Sequence, residues 1–265
     1  MINKISLFFV MVFIMAVNCN SSIVAHRGYS SKAPENTLSA VKKAWEYDID
    51  AVEIDIHLTS DNKVVVIHDS NTERTCGVKH TIKETDSKTL RELDFGSWFS
   101  GEYAGEKIPY LSEVIDVIPQ EKKLFIEIKC GSEVVPFLKK VIEDSGRSED
   151  LRIISFDCDA LTEAKKVMPD VPMYWLISGK KDKESGKVLP YNQESIDVVK
   201  HRGLDGLDVQ FSVLTKEFVD SVHAAGLEIF VWTVDFMDDV RRMHGLGVDG
   251  ITTNYPYEAY KELKK

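Results

Sequence analysis

Two short runs carry more acid than a strand face usually holds, and they alternate it with apolar residues. Residues 51–58 read AVEIDIHL, so Val52, Ile54, Ile56 and Leu58 fall on one face of an extended chain and Glu53, Asp55 and His57 on the other. Residues 124–129, LFIEIK, repeat the pattern, with Ile126 and Ile128 opposite Glu127 and Lys129. On one edge strand such alternation would mark a solvent-facing side. Two runs that share it point to an interior collecting Glu53, Asp55 and Glu127, where charges are costly unless paired or metal-bound. Three carboxylates form a hard oxygen set, suited to one divalent metal ion, Mg2+ or Ca2+, better than to zinc. Such a set leaves positions open for water and for a phosphate oxygen.

Two histidines stand at the ends of other β-branched runs. Residues 23–28 read IVAHRG and end in His26, Arg27 and Gly28; residues 64–68, VVVIH, end in His68, followed by Asp69. Imidazole titrates near neutrality, so a pair beside a carboxylate cluster can divide proton transfers on the two sides of a reacting phosphorus. Arg27 offers a planar fork for phosphate, and Gly28 would let the backbone approach a ligand closely.

The elements that must position these residues alternate along the chain. Strand signals cover 23–25, 51–58, 64–68, 124–129, 152–155, 173–177, 206–210, 228–234 and 250–253. Amphipathic stretches at 38–47, 111–118, 134–144, 160–168, 216–225 and 237–246 lie between most of them, the pattern of βα units around a parallel sheet. Gly226 and Gly247 each follow a helix and precede a strand, as left-handed caps do. Nine strands are one too many for a barrel of eight. The turn Asp61-Asn62-Lys63 has no room for a crossover helix, so 64–68 folds back beside the second strand and the other eight close. The expected fold is α/β: a (β/α)8 TIM barrel with a small inserted region after the second strand, at about 70–108. An open doubly wound sheet is the alternative, but no G-x-G-x-x-G follows the first strand. The insertion carries Phe95, Trp98, Phe99 and Tyr103, either a lid or a small satellite core. The lysine-rich loop 178–190 reads as solvated.

Composition narrows the partners. The 265 residues carry 43 acidic and 33 basic side chains, a formal net charge of −10, with no Lys/Arg stripe, which excludes a binder of nucleic-acid backbones. No obligate protein partner is evident. Residues 1–22 differ from the rest: Lys4 is their one charge, and 5–17 is apolar but for Ser6, the length of a signal-peptide core. Cys19, after Ala16-Val17-Asn18, weakly resembles a bacterial lipoprotein cleavage site. The expectation is a leader at 1–22, a catalytic domain at 23–265, and export to the periplasm or a lipid-anchored place on the cell envelope, with Cys19 as the candidate membrane tether. Cys76, Cys130 and Cys158 have neither a disulfide framework's number nor zinc spacing.

Taken in order, His26-Arg27-Gly28 with residues 34–37 (PENT), Glu53 and Asp55, His68-Asp69, and Glu127 with Lys129 resemble the glycerophosphodiester phosphodiesterase family. So do residues 93–98 (LDFGSW), 105–109 (GEKIP) and 231–234 (VWTV), and the likeness spans about 23–256. The resemblance implies metal-dependent hydrolysis of a small-molecule glycerophosphodiester to glycerol 3-phosphate and an alcohol. It implies His26 and His68 as the catalytic pair, with His26 suggested as base and His68 as acid. Glu53, Asp55 and Glu127 become the metal ligands, Arg27 and Lys129 phosphate-facing groups, and Trp232 a wall of the substrate pocket. The alternatives are a related phospholipase-type phosphodiesterase on intact lipid and a non-catalytic surface lipoprotein binding anionic headgroups. Two departures stand out: Asn254 where the family usually has Asp, and Tyr110 where threonine is more usual. Neither is expected to touch the metal and acid/base set. His201-Arg202-Gly203 repeats the first tripeptide but ends a helix, with Gly203 as its cap. His57 is expected to be a core or supporting residue, and His80, His223 and His244 to lie at the surface.

Overall fold

The computed structural model describes residues 21–183 and 185–265, so residues 1–20 of the expected leader, with the Cys19 tether, lie outside the described residues, and its last residue, Ser22, already opens the first strand. Nine strands form one sheet: β1 (Ser22–Ala25), β2 (Ala51–Leu58), β3 (Val64–Val66), β4 (Lys123–Ile128), β5 (Leu151–Ser155), β6 (Met173–Ile177), β7 (Gly206–Gln210), β8 (Glu228–Trp232) and β9 (Gly250–Thr253). Eight of them, all but β3, pair in parallel, and β1 bonds both β9 and β2, which closes the barrel. The chain is a (β/α)8 barrel with helices around it.

The extra strand is where the tight turn requires it. Asn62 takes a positive φ of 61°, and Thr59 N–H donates to the Lys63 carbonyl at 3.0 Å, which reverses the chain. β3 then runs antiparallel to β2, Ile56 opposite Val66 and Leu58 opposite Val64. The long β2 makes this affordable: β1 uses only its Ala51–Val52 end, leaving the upper edge free for β3. The strand is shorter than the expected 64–68. It ends at Val66, whose N–H faces the other edge and donates to the Pro109 carbonyl. The Ile67 N–H still donates to the Asp55 carbonyl in the register of the ladder, and His68 lies beyond the strand.

Alternation sorts the strand residues into two cores. Val52, Ile54, Ile56, Ile126, Ile128, Leu207 and Val209 pack outward under the helices. Val24, Ala51, Phe125, Ile154, Tyr174, Leu176 and Phe230 fill the barrel interior, with Phe125–Phe230 and Tyr174–Phe230 ring centroids 5.0 and 4.8 Å apart. This aromatic plug gives the site above it a dry floor. The insertion has its own core, Val65, Ile67, Ile82, Leu90, Phe95 and Ile108, so of its aromatics Phe95 is structural. Trp98 stays 41% exposed, and Tyr103 O–H donates to the Lys32 carbonyl, tying the insertion to the loop after β1. Gly203 and Gly247 cap their helices with φ of 68° and 84°, and Gly226 has φ 76°. His201-Arg202-Gly203 is therefore a helix end, as its sequence suggests.

Candidate active site

The strand ends converge at the C-terminal mouth of the barrel on a cavity of about 130 Å³. His26, Arg27, Glu53, His68, Glu127, Lys129 and Trp232 line it; Asp55, wholly buried, lies just beneath. The structure thus brings together all eight residues singled out above.

The loop after β1 is held in an unusual backbone. Arg27 and Gly28 have φ of 56° and 79°, and Arg27 N–H donates to Glu53 Oε2 at 2.9 Å. Gly28 does not face a ligand. A Cβ there would meet the backbone of Ala40 at 2.5 Å, so the glycine lets helix Leu38–Trp45 pack close to the loop. Arg27 gives Nη1 to Glu35 at 2.8 Å and sets Nε 3.2 Å from Asp55 Oδ2. Asn36 fixes Asp55 from the other side, donating Nδ2 to Oδ2 at 2.8 Å and accepting the Asp55 N–H at 3.1 Å.

Glu53, Asp55 and Glu127 each offer an oxygen within 4.8 Å of the others, and all three are buried. Burial, then the charges of Asp55 and Glu127, pushes the Glu53 carboxyl well above the usual range. Burial and Asp55 raise Glu127 to about 7, although Lys129 Nζ donates to it at 2.8 Å. Burial acts to raise Asp55 too, but Arg27, His68 and Lys129 outweigh it and hold the group below the ordinary value. Glu53 Oε1 and Asp55 Oδ1 have no hydrogen-bond partner among the described residues. Orphaned buried oxygens in a repelling cluster are what a hard divalent cation satisfies. The donor set fits Mg2+ or Ca2+ and lacks the sulfur or imidazole that zinc prefers.

The two histidines have unlike supports. His26 Nδ1 lies 2.8 Å from Asn254 Oδ1. Asn254 gives its Nδ2 to Asp235 Oδ2 at 2.7 Å, and a carboxylate accepts only, so the amide oxygen must face His26. That makes Nδ1 the protonated nitrogen and leaves the Nε2 lone pair free, 4.0 Å from Glu53 Oε2. Burial, with Arg27 adding to it, lowers His26 to about 4, so the ring is neutral at neutral pH. His68 instead sets Nδ1 2.7 Å from the Asp69 carboxylate. Arg74 donates Nε to Asp69 at 2.7 Å and a fork to both Glu35 oxygens, at 2.8 and 2.9 Å. One chain of ion pairs therefore runs from His68 through Asp69, Arg74, Glu35 and Arg27 to Asp55.

This corrects the expectation that Asn254 stays clear of the acid/base set, for it touches His26 directly. The charge that asparagine removes is supplied one step behind by Asp235. Tyr110 does stay clear: its O–H donates to Ser87 in the insertion at 3.1 Å. His57 is a supporting residue, donating Nε2 to the His68 carbonyl at 3.1 Å. His223 is exposed, and His80 and His244 are partly so. Trp232 donates Nε1 to the Asp208 carbonyl and meets Phe156 edge to face at 5.4 Å, forming one wall. Sequence reasoning assigned no role to Glu35, Asn36, Arg74, Asp235 or Asp208. The first two lie inside the quoted motif PENT, the signal that could have pointed to them.

A profile of the Glycerophosphoryl diester phosphodiesterase family matches residues 26–258. A glycerophosphodiester phosphodiesterase of Caldanaerobacter subterraneus subsp. tengcongensis is 34% identical over 248 residues, 92% of this chain and 98% of that protein. Among solved structures, an Oleispira antarctica phosphodiesterase in complex with the product sn-glycerol-3-phosphate superposes with a TM-score of 0.84. It shares 28% identity over 92% of this chain and 97% of that one. The glycerophosphodiester phosphodiesterase of Thermotoga maritima gives a TM-score of 0.72 at 30% identity, covering 92% and 98%.

Proposed function

Because the chain belongs to the glycerophosphoryl diester phosphodiesterase family, we propose that it hydrolyses glycerophosphodiesters to glycerol 3-phosphate and an alcohol by metal-dependent, two-histidine acid/base catalysis. The enzyme class rests on the family; the finer mechanism rests on the unlike support of the two histidines. Glu53, Asp55 and Glu127 would hold the metal, Mg2+ or Ca2+, whose contribution when bound is to offset the charge of a phosphoryl oxygen. Arg27 and Lys129 border the same cavity and add positive charge toward the phosphate. His26, neutral and with Nε2 unprotonated, takes the proton of the attacking hydroxyl. The Asp69 carboxylate, 2.7 Å from Nδ1, supports the protonated ring that a general acid uses, and His68 gives its proton to the departing alkoxide. Export to the periplasm or a Cys19-anchored place on the envelope remains part of the proposal, carried by the apolar run at 5–17 alone.

The attacking hydroxyl belongs to the substrate. A glycerol ester carries one on the adjacent carbon, which gains a large effective concentration over water, and two imidazoles suit assisted attack and assisted departure. The product of that step is a cyclic glycerol 1,2-phosphate, opened by water in a second. A diester of propane-1,3-diol, which lacks this hydroxyl, should bind similarly and turn over at least about a hundredfold more slowly. Phosphorus NMR of the glycerol ester should show a transient cyclic species. Comparable rates on the two esters would mean that water attacks directly and that His26 activates water.

A further inference from the structure

One buried carboxyl in the cavity has no part in the roles above. On β7, Leu207 and Val209 pack outward, so Asp208 between them points into the barrel. Its register neighbours are Leu176 on β6 and Phe230 on β8, both apolar. Asp208 is 2% exposed, and among the described residues its Oδ1 has no hydrogen-bond partner. The charge acting on it, Glu127, has its own sign. Apolar side chains fill the neighbouring positions, so a carboxyl here is a costly choice unless something arrives to bond it.

What arrives must come through the catalytic cavity, which Asp208 lines with Glu127 and Trp232. The Trp232 indole donates to the Asp208 carbonyl at 3.1 Å, fixing the residue beside the aromatic wall. Burial, then Glu127, pushes the carboxyl above the usual range; a carboxyl accepts hydrogen bonds and, when protonated, also donates one. A hydroxyl does the same, and the two match. With the phosphate facing Arg27, Lys129 and the metal that the carboxylates would hold, and the vicinal hydroxyl at His26, the hydroxyl left over is the terminal one.

We propose that Asp208 is a subsite for the terminal hydroxyl of the glycerol moiety and selects glycerol esters over esters that lack this group. The inference rests on the glycerophosphodiester reading above.

The test compares two phosphodiesters of one alcohol under saturating Mg2+ or Ca2+: the glycerol ester, and the propane-1,2-diol ester, which keeps the vicinal hydroxyl but lacks the terminal one. Wild-type kcat/KM should favour the glycerol ester by about a hundredfold or more, as expected of a site built to bond a hydroxyl. Asp208→Leu should abolish that preference by losing rate on the glycerol ester alone. Asp208→Asn, which keeps a hydrogen-bonding head, should retain most of it. Should the leucine variant fold poorly, Asp208→Val carries the same comparison. Equal losses on both esters, or a wild type that cleaves both alike, overturn the subsite and leave the enzyme's function standing. A wild type that cleaves neither overturns the function and the subsite together.

Discussion

Glu53→Gln and Glu127→Gln should each lower turnover at least about a thousandfold, the scale set by several kcal/mol of lost charge stabilisation. Each should nonetheless raise the melting temperature of the metal-free protein. The carboxylates repel one another in a buried cluster, and each amide removes one charge without removing a core contact. The pH dependence follows in sign. Glu127 moves from an ordinary 4.5 to about 7 in the folded chain, so between those values the native state holds a proton that the unfolded chain has lost. The contribution of Glu127 to metal-free stability is therefore greatest below pH 4.5 and is lost as pH rises through 7. A metal at about 100 times its Kd adds roughly 2.7 kcal/mol, or on the order of 5–10 °C for a chain of this length. That gain should be larger at pH 8 than at pH 5, where protons compete for the same oxygens. Thermal melts of wild type and both variants, with and without Mg2+ or Ca2+, read this directly. Equal melting temperatures with and without metal at pH 8 would contradict the assignment of the cluster.

His68→Ala should cost about a hundred- to ten-thousandfold on a diester with an alkyl leaving group, the usual worth of a positioned acid. On a p-nitrophenyl ester the same variant should lose less than about tenfold, because a phenolate departs without a proton. His26→Ala should slow both esters alike, since activation of the attacking hydroxyl precedes either departure. The difference originates in the partners. Asp235 orients Asn254, and Asn254 leaves His26 with a free Nε2, whereas His68 has a carboxylate at Nδ1. Equal losses on both esters for His68→Ala would show that it is not the general acid.

The barrel and most of its site were legible because both depend on local pattern. Period-two alternation in 51–58 and 124–129 placed Glu53, Asp55 and Glu127 inside, and the turn at 61–63 accounted for the ninth strand. The early end of β3 was not legible, since the β-branched run 64–67 carries no local signal for where its pairing with β2 stops. Nor was the contact between His26 and Asn254, which are 228 residues apart and meet only because β1 and β9 pair when the barrel closes. Arg74 reaches Glu35 across 39 residues from inside the insertion, where nothing local marks it. Gly28 was misread for the same reason: its neighbour is Ala40 in a packed helix, not a ligand. Nothing in the run 206–210 singles out Asp208, and only the apolar Leu176 and Phe230 beside it show what is missing.

The central claim is metal-dependent release of glycerol 3-phosphate, and one assay meets it. The protein is dialysed against EDTA, and glycerol 3-phosphate formed from glycerophosphoethanolamine is measured before and after Mg2+ or Ca2+ is returned. Little or no product after EDTA, with activity restored by one of the two ions, is the predicted result. Full activity in EDTA would contradict the claim.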